Sequence, residues 1–183
     1  MYKVITGDAT NPTLKHNEIA VIPHVCNNIN SWGKGFVLAL SAKWEKPEKE
    51  YHSYMFTNTI SNLARKTKDT VLGDLACEYG GLIEVERNIF IAKMIAQRGT
   101  ISQLNLKPIK YAALVKSMEK VAQIINDYNL NYPSSSDKQI AIHTPKFGCG
   151  LAGGNWDFIE ELIIEIWCMK DIDVTVYEFE ENK

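Results

Sequence analysis

Apolar positions along the chain fall into two kinds of run. Continuous stretches such as IAVIPHV (19–25) and QIAIH (139–143) predict strands buried on both faces, because neither shows the alternation of a half-exposed strand. Tyr2–Ile5, Leu72–Tyr79, Gly81–Val85, Ile89–Ile95 and Ile172–Tyr177 are further strand-like runs. Between them the spacing turns helical. Leu114, Val115, Met118, Val121, Ala122 and Ile125 form one stripe within 109–127. Trp156, Ile159, Leu162, Ile163, Ile166 and Trp167 form a second, with Asn155 placed to cap it. Phe36–Trp44 predicts a helix, and another begins near Pro47, where the fixed φ of proline suits a first turn. Segments 58–70 and 129–138 are rich in polar and turn-forming residues and predict loops.

Strands interleaved with helices imply an α/β layered fold around a parallel or mixed sheet. In such sheets ligands bind beyond the carboxyl ends of the strands. The 183 residues read as one domain, with no repeat and no low-complexity tract. Hydrophobic content of 45% and charged content of 23% are ordinary for a globular protein. A net charge of −2 argues against general nucleic-acid binding, and the short basic group Arg65, Lys66, Lys68 reads as a solvated loop. The start, MYKVITGD, lacks the pattern of a secretion signal, and no apolar run is long enough for a membrane span. Cys26, Cys77, Cys149 and Cys168 form no CxxC or Cys/His metal spacing, so reduced thiols, a cytoplasmic setting and no metal are expected.

Candidate chemistry concentrates in two loops. VCNNINSWGKGFVLAL (25–40) leaves a buried strand and enters a helix, and so does KFGCGLAGGNW (146–156). The second contains GxGxxG at Gly148, Gly150 and Gly153, but a dinucleotide fingerprint opens its domain, whereas here only one helix and one strand follow. Neither loop continues as the GK[ST] of a phosphate-binding P-loop. Bare glycine backbone at a strand-to-helix switch lets N–H groups approach an anion, with the positive end of a helix behind them. Two such loops suit a ligand with two phosphates; each alone is equally a tight turn. Asp8, in TGDA after the first strand, is either a turn former or an acceptor for an exocyclic amine.

Taken in order, these elements resemble the macro domain family, which binds ADP-ribose: Gly7, Asp8 and Thr10 after strand one, the polar strand end His24–Asn27, Gly33–Phe36 opening a helix, Gly148–Gly153, and a last strand carrying Tyr177. The resemblance spans nearly the whole chain. It implies a three-layer α/β/α fold with a mixed central sheet. Residues 24–51, with HVCN, SWGKG and PEKEY, look most like the yeast-type ADP-ribose 1″-phosphate phosphatases. The late loop is also similar to the glutamate-ADP-ribose hydrolases, but where that branch has a catalytic aspartate this chain has Ala152, and its catalytic lysine aligns near Gln97; Lys93 is close by in sequence.

Carried over position by position, the resemblance implies that Asp8 and the Ala9 backbone hold the adenine and that Tyr177 packs on its ring. Gly33, Lys34, Gly35 and Phe36 would line one phosphate loop, and Gly148, Cys149, Gly150, Leu151 and Ala152 the other. His24 and Asn27 would face the distal ribose and its 1″ substituent, as the catalytic pair. An unperturbed histidine titrates near neutrality and suits proton transfer to a leaving oxygen; the same residue is equally a hydrogen-bonded structural histidine. His143 reads as a core histidine, His16 and His52 as exposed, and Cys26 as a thiol needing a lowered pKa to act. Trp32 either walls the pocket or packs on the helix. The expected activity is metal- and cofactor-free hydrolysis of ADP-ribose 1″-phosphate by a monomer. The alternatives are a non-catalytic ADP-ribose-binding module, or a hydrolase of ADP-ribose attached to protein or nucleic acid.

Overall fold

A computed structural model describes residues 1–64, 79–131 and 139–179. Six strands, β1 (Tyr2–Thr6), β2 (Glu18–Asn27), β3 (Tyr79–Glu86), β4 (Ile89–Gln97), β5 (Gln139–Pro145) and β6 (Asp173–Glu178), form one sheet in the order β1-β6-β5-β2-β4-β3. All neighbours run parallel except β3, which pairs antiparallel with β4 at one edge. The sheet is therefore mixed, as expected. Helices α1 (Phe36–Lys43) and α2 (Lys46–Ala64) lie on one face, and α3 (Tyr111–Asn131) and α4 (Trp156–Ile166) on the other.

Strand alternation sorts the core between those layers. Val21, Ala92, Met94 and Ile142 pack under α3 and α4, whereas Ile22 and Ile91 meet Leu40 of α1, and Cys26 and Ile95 meet Tyr51 and Met55 of α2. β2 is buried along almost its whole length, as a continuous apolar run predicts. Trp167 is fully buried and donates its indole N–H to Met118 O at 2.9 Å, joining α4 to α3.

Two boundaries differ from expectation. Residues 58–64, expected as loop, complete α2, and 129–131 complete α3. Packing of Tyr51 and Met55 against the sheet outweighs the weak helix propensity of Asn58, Ser61 and Asn62. Of the expected strand Leu72–Tyr79, only Tyr79 is described, as the first residue of β3; Arg65, Lys66, Lys68 and Cys77 lie outside the described residues. No described helix is long and apolar enough to cross a membrane.

Asn155 caps α4 as the sequence indicates, accepting from Phe158 N at 3.0 Å. Replacing it with alanine is expected to cost about 1 kcal/mol in urea unfolding, and Asn155→Asp to restore most of that.

Candidate functional site

Parallel pairing brings the carboxyl ends of β1, β6, β5, β2 and β4 to one edge of the sheet. A cleft of about 490 Å³ opens there, above β5, β2 and β4. Its floor includes His24 and Asn27; one wall is Gly33–Phe36 and the other is Gly148 with Gly150–Ala152. The two glycine loops, far apart in sequence, thus face one cavity. Among the described residues, no backbone carbonyl accepts from the N–H groups of Lys34, Gly35, Gly150, Leu151 or Ala152. The N-terminus of α1 stands behind the first set of these donors.

Glycine is required at specific points. Gly35, the N-cap of α1, has φ 78°, where a side chain is strained. In the late loop, Gly154 N donates to Gly148 O at 2.9 Å, and a Cβ on Gly154 would lie 2.4 Å from that same oxygen. A Cβ on Gly150 would meet nothing within 4 Å. The fold thus needs Gly154 for closure, whereas Gly150 leaves open space on the ligand side.

His24 is 1% exposed. Burial, and secondarily the charge of Lys93, lower its pKa to about 3, so the imidazole is neutral in the ligand-free protein. Burial thus moves it away from the near-neutral range of an unperturbed histidine. The ring stands edge-on to Trp32 at 5.7 Å and near Phe36 at 6.2 Å. Cys26 shares its face of β2, with Sγ 3.6 Å from His24 Nδ1, but burial drives that thiol well above its usual range and removes it as a thiolate nucleophile. Trp32 does both things the sequence left open: it lines the cleft, and its Nε1 donates to Ser41 Oγ, which donates to Glu48.

Asn27 lines the cleft while organising the loop above it. Its Oδ1 accepts from Ile29 N, Ser31 N and Tyr51 Oη, and its Nδ2 donates to Ser31 O, leaving one amide N–H uncommitted. Asp8, Ala9 and Tyr177 sit along the same edge on the β1–β6 side and do not line the cleft cavity. Asp8 accepts from Thr10 N and Thr10 Oγ1 at 2.8 and 2.9 Å. Cys149 lies in the late loop but turns its half-buried thiol toward Lys146 O rather than lining the cavity.

Lys93 points away from the cleft, into a separate cavity between α2 and β3, while Gln97 and Ala152 do line the cleft. Among the described residues, no lysine–aspartate pair therefore faces the two glycine loops. His52 is half-buried rather than exposed, held between Asn30 and Glu48. Sequence reasoning missed Thr100, Ile101 and Lys146 as lining residues. The signal for the first two was their place after β4, another parallel strand ending at this edge. Among the described residues no cluster of three or more His, Cys, Asp or Glu is placed to hold a metal.

No family model matches the chain. It is 27% identical over 167 residues to the ADP-ribose 1″-phosphate phosphatase of Candida albicans, covering 90% of this chain and 93% of that protein. A solved protein of unknown function from Bacteroides thetaiotaomicron is 34% identical, with a TM-score of 0.76 and coverage of 97% of both chains. The macrodomain protein of Streptomyces coelicolor is 32% identical, with a TM-score of 0.68 and coverage of 97% of this chain and 99% of that one.

Two outcomes are expected from this geometry. Gly154→Ala will lose about 1–3 kcal/mol of stability through the backbone clash, whereas Gly150→Ala will unfold within about 0.5 kcal/mol of wild type; urea curves decide. His24 ring resonances in NMR will stay those of a neutral imidazole as the pH falls from 7.5 to 5. Because the native pKa lies below the unfolded value of 6.5, this histidine's contribution to stability is complete above about pH 6.5 and is lost progressively toward pH 3.

Proposed function

The chain belongs to the macro domain family, and from that membership we propose that it binds ADP-ribose along the carboxyl edge of its sheet and hydrolyses the 1″ phosphate of ADP-ribose 1″-phosphate. The observation that carries this reading is the convergence of two glycine loops, each with uncommitted N–H groups, on one cleft floored by His24. The similarity to the Candida albicans phosphatase supports it over the same length of chain.

In this reading the diphosphate lies between Gly33–Phe36 and Gly148–Ala152, with Asp8 and the Ala9 backbone at the adenine and Tyr177 beside it. The Cys149 contribution is through its backbone alone. Asn27 uses its remaining N–H on the distal ribose. The 1″ phosphate rests over His24. A bound phosphate dianion changes the electrostatics there: its negative charge favours the protonated imidazole and opposes the burial that keeps the free protein's histidine neutral. Proton uptake then accompanies binding. Water attacks phosphorus, the bond from phosphorus to the 1″ oxygen breaks, and the His24 proton passes to that departing oxygen. Positioning and the loop N–H groups supply the rest of the acceleration.

A second reading, a binding module without turnover, is favoured by one observation: His24 is packed among Trp32, Phe36 and Cys26 as a core residue would be. ADP-ribose affinity does not separate the two.

Phosphate release from ADP-ribose 1″-phosphate in EDTA does separate them. We expect turnover by the wild type and a loss of about a hundredfold or more in His24→Ala, with ADP-ribose affinity retained in calorimetry. Equal rates in wild type and folded His24→Ala would remove His24 from the mechanism. Tight ADP-ribose binding without phosphate release would leave the binding module.

A further inference from the structure

A buried polar chain that plays no part in the chemistry above crosses the sheet on the β1–β6 side. Glu18 and His143 are each 2% exposed, and His143 Nε2 lies 2.6 Å from Glu18 Oε1. Burial lowers the His143 pKa against the opposing pull of Glu18, so the imidazole is neutral. With the ring hydrogen on Nε2, facing Glu18, Nδ1 is left bare. Tyr177 Oη, 2.9 Å from Nδ1, therefore donates to it. The chain therefore runs from Tyr177 through His143 to Glu18.

The far end of this chain holds a loop. Gly7 lies on the Tyr177 ring so closely that a Cβ there would stand 3.3 Å from Cδ1. The segment that follows β1 is thus held against the Tyr177 ring at Gly7, and Asp8 comes next with its carboxylate already oriented by Thr10. A buried ionisable pair is a costly way to hold a fold, since well-packed apolar side chains of similar size do so as well or better. What the polar chain adds is direction: it fixes the Tyr177 ring and, through it, where Asp8 points.

We infer that His143, oriented by Glu18, is a positioning residue for the nucleobase end of the site on the β1–β6 side of the cleft, setting Tyr177 and the Asp8 loop so that this end selects an amino-bearing purine. The inference rests on the ADP-ribose reading above. His143 and Glu18 touch no ligand.

The test compares affinity for ADP-ribose with affinity for its hypoxanthine analogue, which lacks the exocyclic amine, in wild type, Tyr177→Phe, His143→Gln and the double variant. Wild type is expected to favour ADP-ribose by about tenfold or more. Tyr177→Phe keeps the ring and removes only the link to His143, so it remains a valid test if His143→Gln fails to fold. In each folded variant the preference is expected to fall toward unity. The double variant should lose no more than Tyr177→Phe alone, because both changes break the same chain. A general loss of packing would weaken both ligands alike and leave their ratio unchanged. An unchanged ratio in the folded variants overturns the inference and leaves the ADP-ribose reading standing. A wild type that binds neither ligand overturns that reading and the inference with it.

Discussion

Parallel strand pairing is the constraint from which the site follows. Once β1, β6, β5, β2 and β4 run the same way, their connections must cross over the faces and their carboxyl ends must share one edge. Residues distant in sequence, such as His24, Gln97 and Lys146, become neighbours there without any of them having to seek the others. The same pairing buries β2 on both faces, so polar side chains can appear on it only near its ends. Glu18 opens the strand and His24 and Asn27 close it, and each has specific surroundings that account for it.

Both glycine loops leave strands at this edge, but their backbones are disposed differently. The first feeds directly into α1, so its uncommitted N–H groups continue into the first turn of a helix. The second folds back on itself through Gly154 N to Gly148 O and Gly153 N to Gly150 O, leaving a short arc of free donors at Gly150–Ala152. α4 begins only after that closure and is capped separately by Asn155. In the proposed reading one anion position would draw on a helix terminus and the other on a turn of oriented amides, and a diphosphate is a ligand whose two charges could use both.

The element order and the two glycine loops were legible in the sequence because each rests on a local pattern: continuous apolar runs, a helical stripe, or glycine at a strand end; the mixed sheet followed only from the family resemblance. The Asn155 cap was legible for the same reason. The tail of α2 was not, since Asn58, Ser61 and Asn62 favour turns locally and only packing of the preceding turns against the sheet carries the helix through them. The state of His24 was equally hidden. Its strand position could be read from the sequence, but its charge depends on Trp32, Phe36 and Lys93, which reach it only through tertiary structure. Tests of candidate residues from sequence stop at the same limit: Lys93 and Gln97 are four positions apart on β4, yet one faces a different cavity and the other the cleft.

The buried histidines and lysine of the sheet are handled in three ways. His143 is paired with Glu18 and given a fixed tautomer. Lys93 faces its own cavity with Glu50 on the far wall, and burial lowers its pKa. Among the described residues His24 has no salt-bridge partner, and it faces the cleft; burial and the positive charge of Lys93 lower its pKa. A group held neutral in that way is the one most responsive to an arriving anion, because nothing else in its surroundings competes for the proton. On the phosphatase reading proposed above, Lys93 would favour the phosphate while opposing the proton, and burial would tie the charge on His24 to occupancy of the cleft.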